Sequence, residues 1–172
     1  MTQIDRRHVL FTATALAGFS ALGAPLAFAA PDSEAAFAKD PVRKLTDAQW
    51  KAKLGGGLAY TVLRQEDTEA PGTSPLLNEH RVGTFHCKGC DLPLFESKWK
   101  FESGTGWPSF YDVIKQNISN KVDHKLAFET RSEYHCARCL GHQGHVFDDG
   151  PKPTGLRYCN NGAAITFKPA LA

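Results

Sequence analysis

The stretch Cys87-Lys88-Gly89-Cys90, together with its counterpart Cys136-Ala137-Arg138-Cys139, determines how this chain folds. Each Cys-x-x-Cys turn directs two sulfur atoms to one side, so two facing turns supply four thiolates for a tetrahedral metal ion. Residues 91–135 separate the two pairs, which predicts that the metal joins two distant hairpins rather than a local zinc finger. We expect one structural Zn²⁺ per chain, bound by these four cysteines and coupled to folding.

Other interpretations of the four cysteines remain open. Iron is a possible substitute for zinc in a four-thiolate site. In an oxidising compartment the pairs could form disulfides, or one pair could act as a redox-active dithiol. Zinc is favoured because a redox dithiol usually opens a helix after a strand, and no helical pattern follows either pair.

Short segments rich in β-branched and aromatic residues dominate the second half of the chain. With the Gly, Pro, Asn and Asp residues between them, they predict strands over 84–87, 122–130, 133–136, 156–159 and 164–167. No helical pattern alternates with these strands, which argues against parallel βαβ units. We therefore expect a mainly β fold with a small antiparallel core.

One or two helices are expected on the N-terminal side of this core. Thr46-Asp47-Ala48-Gln49 has the pattern of a capping box, which predicts a helix that begins at Thr46. Gly55-Gly56-Gly57 is expected to end it, because glycine adopts the left-handed cap conformation without a Cβ penalty. A second short helix is predicted over 58–65, followed by a loop over 69–75.

The N-terminus has the pattern of an export signal. Arg6 and Arg7 precede an uncharged apolar segment over 12–28, and Ala27-Phe28-Ala29 is a small-x-small cleavage site. These features predict a secretory signal peptide over 1–29. The adjacent arginines resemble a twin-arginine signal, which predicts export to the periplasm. A retained membrane anchor is the alternative.

We divide the rest of the chain into a flexible leader over 30–44 and a globular domain over 45–172. The hydrophobic content of 42% is sufficient for a packed core. The net charge of +2 is too small to indicate a nucleic acid or membrane-surface partner. We expect a monomer with no stable membrane partner after cleavage, because no coiled-coil pattern or extended apolar face is present.

Cys159 is the fifth cysteine and lies at no Cys-x-x-Cys spacing. A lone cysteine is usually a small buried hydrophobe. Its neighbours favour a reactive thiol instead: Arg157 would stabilise the thiolate, and Asn161 would share its face of a strand. His142 and His145 offer acid–base groups near neutral pH.

The aromatic stretch from Phe101 to Tyr111 has two interpretations. Its Trp107-Pro108 pair could form a packed turn, or the stretch could provide an aromatic wall for a small apolar group.

Taken together, the motifs resemble those of the methionine sulfoxide reductase B family over roughly residues 45–168. The matching features are Cys87-x-x-Cys90 with Pro93-Leu94-Phe95, Ser103-Gly104-x-Gly106-Trp107-Pro108-Ser109-Phe110, Cys136-x-x-Cys139, and the segment from Gly144-His145-Val146-Phe147 through Arg157-Tyr158-Cys159-x-Asn161. The resemblance implies reduction of methionine R-sulfoxide, free or in oxidised proteins. It also implies two antiparallel sheets and a structural zinc remote from catalysis.

The resemblance assigns roles to individual residues. It makes Cys159 the nucleophile, which becomes a sulfenic acid. It makes His145 and Asn161 the residues that handle the substrate oxygen and its proton, with His142 nearby. Trp107 would pack on the sulfoxide methyl, and Phe147 and Arg157 complete the expected substrate-binding residues.

Thr105 departs from a common pattern of the family. Many members carry a resolving cysteine between the two glycines of this motif, where this chain has Thr105. We therefore expect a one-cysteine cycle that depends on an external thiol, either a thioredoxin-like protein or a small thiol.

Two other classes of function remain as alternatives. The chain could be a non-catalytic periplasmic zinc-binding interaction module, for which Cys159, His145 and Asn161 would be unnecessary. It could also be a disulfide oxidoreductase, which requires a redox-active Cys-x-x-Cys and no zinc.

Overall fold

A computed structural model describes residues 33–123 and 131–171 of the chain. In these ranges the strands are β1 Gly83–Cys87, β2 Pro93–Glu96, β3 Lys100–Phe101, β4 Ser109–Phe110, β5 Ile118–Asp123, β6 Arg131–Cys136, β7 His142–Phe147, β8 Arg157–Asn160 and β9 Ile165–Pro169. They form two sheets, one of order β2-β1-β9 and one of order β3-β4-β8-β7-β6-β5. All of the pairings are antiparallel, which confirms the expected mainly β, two-sheet fold.

Two helices precede the sheets, as expected. Helix α1 covers Asp47–Leu54 and α2 covers Leu58–Gln65. Thr46 Oγ1 accepts a hydrogen bond from the Gln49 backbone at 3.3 Å, and Gln49 Oε1 accepts one from the Thr46 backbone at 2.8 Å. Gly55 then ends α1 with a φ of 78°, in the left-handed region. Neither of these helices, nor any other in the described ranges, has the length and apolar character needed to cross a membrane.

The predicted strands overlap β1, β5, β6, β8 and β9 but are incomplete. The sequence missed β2, β3 and β7, and it placed β4 within an aromatic stretch interpreted as a loop. Strand β5 begins at Ile118, earlier than predicted, and residues 124–130 of that predicted strand lie outside the described residues. Strand β7 carries two histidines, a glutamine and a glycine, so its sequence lacks a strand pattern. Its strand conformation comes from pairing with β6 on one side and β8 on the other.

Aromatic side chains join the two sheets. Phe95 of β2 stacks on Phe110 of β4, with ring centroids 4.0 Å apart and planes inclined by 10°. Phe85 of β1 meets the same Phe110 ring edge-on at 4.9 Å. These three side chains are fully buried, so their contacts fix the small sheet against the large one.

Residues 33–44, here called the N-terminal arm, lie within the segment predicted as a leader over 30–44. The arm contains two 3₁₀ turns, Ala35–Phe37 and Pro41–Lys44. The Arg43 guanidinium donates to the carbonyl oxygens of Ala137 at 2.5 Å and Arg138 at 3.0 Å. The arm has a defined structure because these carbonyls, in the second cysteine turn, bind its cation. The predicted signal peptide over 1–29 lies outside the described residues.

Candidate active site

Cys159 lies on β8, the third strand of the large sheet. Its Cα pairs with that of His145 on β7 and with that of Ser109 on β4. Directly opposed residues of antiparallel strands have Cβ atoms about 4.5–5.5 Å apart and share a face. The sheet therefore brings the Cys159 thiol and the His145 imidazole together.

A cavity of about 120 Å³ opens beside Cys159. Its lining comes from the loop after α2, the aromatic loop before β4, β7, and the end of β8: Thr68, Trp107, Gly144, His145, Phe147, Cys159, Asn160 and Asn161. Aromatic surface thus adjoins a thiol, an imidazole and an amide. Such a cavity suits a small substrate in which an apolar group is next to a polar one.

The Cys159 thiol is half-buried, and its environment changes its acidity in two directions. Burial raises the pKa of the thiol above its ordinary value. The charge of Arg157 and hydrogen bonds with Thr105 and Arg157 lower the pKa, but burial outweighs them. The predicted influence of Arg157 is therefore present, although the net shift is upward. At neutral pH the thiol needs a proton acceptor, and His145 is the imidazole opposite it.

Arg157 does not line the cavity. Its guanidinium donates two hydrogen bonds to the Asp149 carboxylate, at 2.7 and 2.9 Å. The same guanidinium lies over the Phe147 ring, 4.2 Å from the ring centroid. Arg157 therefore supports the Phe147 wall from behind.

His142 also lies behind the cavity, where its ring meets that of His145 edge-on at 5.5 Å. Its Nδ1 is 2.9 Å from Glu133 Oε1, and Glu133 Oε2 is 3.1 Å from Lys121 Nζ. Burial acts to raise the pKa of Glu133, but His142 and Lys121 outweigh it and hold the pKa below its usual value. The Glu133 carboxylate is therefore ionised at neutral pH, and it lies against the ring of His142.

Asn161 is held by backbone groups on both sides of its amide. Its Nδ2 donates to the Gln143 carbonyl at 3.0 Å, and its Oδ1 accepts from the Glu69 backbone at 3.0 Å. The Glu69 carbonyl accepts a third hydrogen bond, from Trp107 Nε1 at 3.0 Å. Two predicted site residues therefore depend on one loop residue.

The structure brings most of the predicted site residues together. Five line the cavity, namely Cys159, His145, Asn161, Trp107 and Phe147, while His142 and Arg157 contact its walls. The sequence missed Thr68 and Glu69, because a loop pattern carries no signal for contacts made with distant residues. Asn161, the partner of Glu69, is 92 positions further along the chain.

The four paired cysteines form a compact cluster, with all of their Sγ atoms within 4.8 Å of one another. The Sγ atoms of Cys90 and Cys136 are 3.4 Å apart, and those of Cys87 and Cys139 are 3.6 Å apart. Four thiolates around one Zn²⁺ would be about 3.8 Å apart, since Zn–S bonds are about 2.3 Å. All four are free thiols rather than disulfides. The cluster therefore has the donor set and spacing of a four-thiolate metal site.

The cysteine cluster is linked to the candidate active site through Gln143. Its Nε2 donates to Cys87 Sγ at 3.5 Å, and its carbonyl accepts from Asn161. Gln143 is fully buried and contacts both the cysteine cluster and the candidate active site.

Comparison with known proteins identifies the family. The SelR domain matches residues 57–169. A protein of Thiobacillus denitrificans named peptide methionine sulfoxide reductase MsrB is 46% identical over 125 residues, which cover 72% of this chain and 93% of that protein. One of the same name from Bradyrhizobium diazoefficiens is 44% identical over 142 residues, covering 81% and 99%. The chain therefore belongs to the methionine sulfoxide reductase B family, and it carries a SelR domain.

Plant relatives are longer. The chloroplastic peptide methionine sulfoxide reductase B1 of Oryza sativa is 48% identical over 124 residues, which cover 72% of this chain and 58% of the rice protein. The chain likewise spans 66% of the Arabidopsis thaliana protein of that name.

Proposed function

We propose that this chain reduces the R epimer of methionine sulfoxide, free or in oxidised proteins, to methionine. The observation that carries the proposal is the pairing of Cys159 with His145 beside a cavity walled by Trp107 and Phe147. Membership of the methionine sulfoxide reductase B family supports the same reaction. The biological role is repair of oxidised proteins.

In the reductive step the Cys159 thiolate attacks the electrophilic sulfoxide sulfur. His145, or a water that it holds, protonates the substrate oxygen and so assists cleavage of its bond to sulfur. In net terms, the S–O bond of the substrate breaks and an S–O bond to Cys159 forms. The substrate sulfur gains two electrons and the Cys159 sulfur loses two, which yields methionine and a sulfenic acid.

Contacts at three points of the substrate, its methyl group, its oxygen and its sulfur, give the site its stereochemical preference. Trp107 packs on the methyl group, Asn161 and His145 bind the oxygen, and Cys159 fixes the line of attack. His142 supports His145, while Arg157 supports Phe147. A substrate of the opposite configuration places its oxygen or its methyl group against the wrong wall.

We propose that Cys159 is regenerated by an external thiol. Thr105 contacts Cys159 where a resolving cysteine would lie, and the other four cysteines belong to the metal cluster. A first thiol condenses with the sulfenic acid to give a mixed disulfide and water, and a second thiol releases Cys159 as thiol. A thioredoxin-like protein or a small thiol fits this chemistry.

Zn²⁺ is the metal that the four-cysteine cluster fits best. The donor set is all thiolate, the spacing suits a tetrahedral ion, and three of the four cysteines are buried. The ion would be structural, since it would hold the β1–β2 turn against the β6–β7 turn. Metal analysis of the purified chain tests this assignment against iron.

We also propose export of the chain to the periplasm by the twin-arginine route. The support is the sequence pattern of residues 1–29 alone. Replacement of Arg6 and Arg7 by lysine should retain the protein in the cytoplasm, as followed by fractionation. Equal periplasmic amounts of both forms would contradict this proposal.

The test of the function is an assay of both epimers of methionine sulfoxide with excess dithiothreitol, using residues 30–172 and a Cys159→Ser variant. We expect consumption of the R epimer by the parent protein only, with the S epimer unchanged. Reduction of neither epimer by folded, metal-loaded protein would revive the alternative of a non-catalytic zinc-binding module. The convergence of Cys159, His145 and Asn161 on one cavity does not favour that alternative.

A further inference from the structure

Glu69 lies in the loop after α2 and is almost fully buried, with 4% of its surface exposed. It directly follows Thr68, which lines the cavity beside Cys159. A buried carboxylate in a loop is costly unless hydrogen bonds compensate the loss of water. Glu69 makes four hydrogen bonds, two through its carboxylate and two through its backbone, and each of them leads to the candidate active site.

The backbone of Glu69 binds two residues of the cavity wall. Its N–H donates to Asn161 Oδ1, and its carbonyl accepts from Trp107 Nε1, both at 3.0 Å. The first bond fixes which side of the Asn161 amide carries the NH₂ group. The second fixes the position of the indole along its long axis.

The carboxylate of Glu69 binds the turn that directly follows Asn161. Oε1 accepts from the Gly162 backbone at 2.5 Å, and Oε2 accepts from the Ala163 backbone at 2.9 Å. These two bonds hold the Glu69 backbone at a set distance from the end of β8. The Asn161 and Trp107 contacts depend on that distance.

We propose that Glu69 is a positioning residue that sets the relative placement of Trp107 and Asn161 and thereby the preference for the R epimer. The inference rests on the proposed reductase function. Glu69 lies outside the cavity lining, so it acts through the groups that contact substrate. Its effect is on the placement of Trp107 and Asn161 and not on the pKa of the Cys159 thiol.

Both oxygens of the carboxylate are required. In a Glu69→Gln variant one acceptor becomes an NH₂ group that faces a backbone N–H, so one of the two bonds is lost and donors oppose each other. The volume of the side chain is almost unchanged. The variant therefore removes one of the two hydrogen bonds between the Glu69 side chain and the turn after Asn161, without opening a cavity.

The experiment compares the parent chain with Glu69→Gln and with Glu102→Gln, a matched change at an exposed residue of the loop that carries Trp107. For Glu69→Gln we expect kcat/KM for the R epimer to fall about 10- to 100-fold, because small misplacement of binding groups is costly in rate. We expect the ratio of R to S activity to fall and the rate of Cys159 alkylation to stay unchanged. Glu102→Gln should match the parent.

A double-mutant cycle with Trp107→Phe tests whether Glu69 acts through the indole. We expect Glu69→Gln to cost markedly less in the Trp107→Phe background than in the parent, because coupled residues are not additive. Equal costs in the two backgrounds would overturn the inference. Parent-like kinetics and epimer preference of Glu69→Gln would also overturn it.

The indole N–H resonance of Trp107 provides a readout that is independent of activity. In Glu69→Gln it should shift and exchange with solvent faster, whereas an unchanged signal contradicts the inference. If the parent reduces neither epimer, the proposed function fails, and this resonance still decides whether Glu69 holds Trp107. If Glu69→Gln does not fold, Glu69→Asp serves instead, since its shorter carboxylate cannot reach both N–H groups.

Discussion

The carbonyl oxygen of Gln143 accepts two hydrogen bonds from Asn161, one from its backbone N–H at 2.9 Å and one from its side-chain Nδ2 at 3.0 Å. The same glutamine reaches the cysteine cluster through its Nε2, which is 3.5 Å from Cys87 Sγ. The placement of Asn161 therefore depends on a residue whose side chain lies against the cysteine cluster.

Removal of the metal should reduce activity through this connection. With a strong chelator we expect loss of reductase activity together with loss of folding stability, because binding energy of a structural Zn²⁺ is folding energy. Gln143→Leu should lower activity in metal-loaded protein, since it leaves the cluster but removes the bond to Cys87. Circular dichroism, metal content and activity, followed together, identify whether folding or activity is lost first. Full activity of a metal-free chain would contradict the prediction.

A Thr105→Cys change should convert the one-cysteine site to an internally resolved one. The Thr105 hydroxyl is hydrogen-bonded to Cys159, so a thiol introduced there lies within reach of the sulfenic acid. After one turnover without reductant, we expect dimedone to label Cys159 in the parent. In the variant, a disulfide to the introduced thiol should replace the sulfenic acid and prevent labelling. Ser103→Cys is the matched control, because Ser103 contacts Thr105 rather than Cys159. Equal dimedone labelling of parent and Thr105→Cys would rule out the predicted contact.

Changes at the Arg157–Asp149 pair should move the Cys159 pKa in opposite directions. Arg157→Met removes a charge that lowers this pKa, so the pKa rises and the thiolate fraction at neutral pH falls. Asp149→Asn removes a charge that raises it, so the pKa falls and the thiolate fraction grows. The pH dependence of iodoacetamide alkylation of Cys159 measures both shifts. The midpoint should be higher than the parent's in Arg157→Met and lower in Asp149→Asn. Identical midpoints would show that the pair does not act on the thiol.

Gly144→Ala should damage the site directly. A Cβ at this position would lie 1.9 Å from the Cys159 carbonyl oxygen, a backbone atom that cannot yield without separation of β7 from β8. We expect a loss of about 3 kcal/mol in the free energy of unfolding and near-complete loss of activity. Gly57→Ala is the control, since a Cβ there meets nothing within 4 Å. Denaturant unfolding and the epimer assay together distinguish the two variants.

The N-terminal arm, which lies outside the matched SelR domain, should slow the release of metal. Arg43 binds the carbonyls of Ala137 and Arg138, within the second cysteine turn. Arg43→Gln should increase the rate of zinc transfer to a coloured chelator about tenfold, in line with lost hydrogen bonds from a charged donor. Lys44→Gln, at an exposed neighbour, should release zinc at the parent rate. Equal release from Arg43→Gln and the parent would contradict this role.

Features that depend on adjacent residues could be predicted from the sequence. Helix α1 follows from Thr46 and Gln49, whose side chains and backbones bond within one turn. The cysteine cluster follows from the spacing within each pair. Cys159, His145 and Trp107 belong to motifs that the family shares, so their convergence was also expected.

Features that arise from tertiary contacts could not be predicted. Strand β7 is polar because its residues serve the site, so its conformation depends on the strands beside it. Glu69 lies in a segment with the composition of an ordinary loop, yet it is buried and bonded to Asn161 and Trp107. The arm looked irregular because its structure depends on carbonyl groups far along the chain.

A single turnover without any reductant tests the central claim most directly. Metal-loaded protein is mixed with excess methionine R-sulfoxide, and the methionine formed and the state of Cys159 are measured together. We expect one methionine per chain, one dimedone-reactive sulfenic acid at Cys159 and an intact metal cluster. No methionine, or methionine formed with the oxidation located in the paired cysteines, would contradict it.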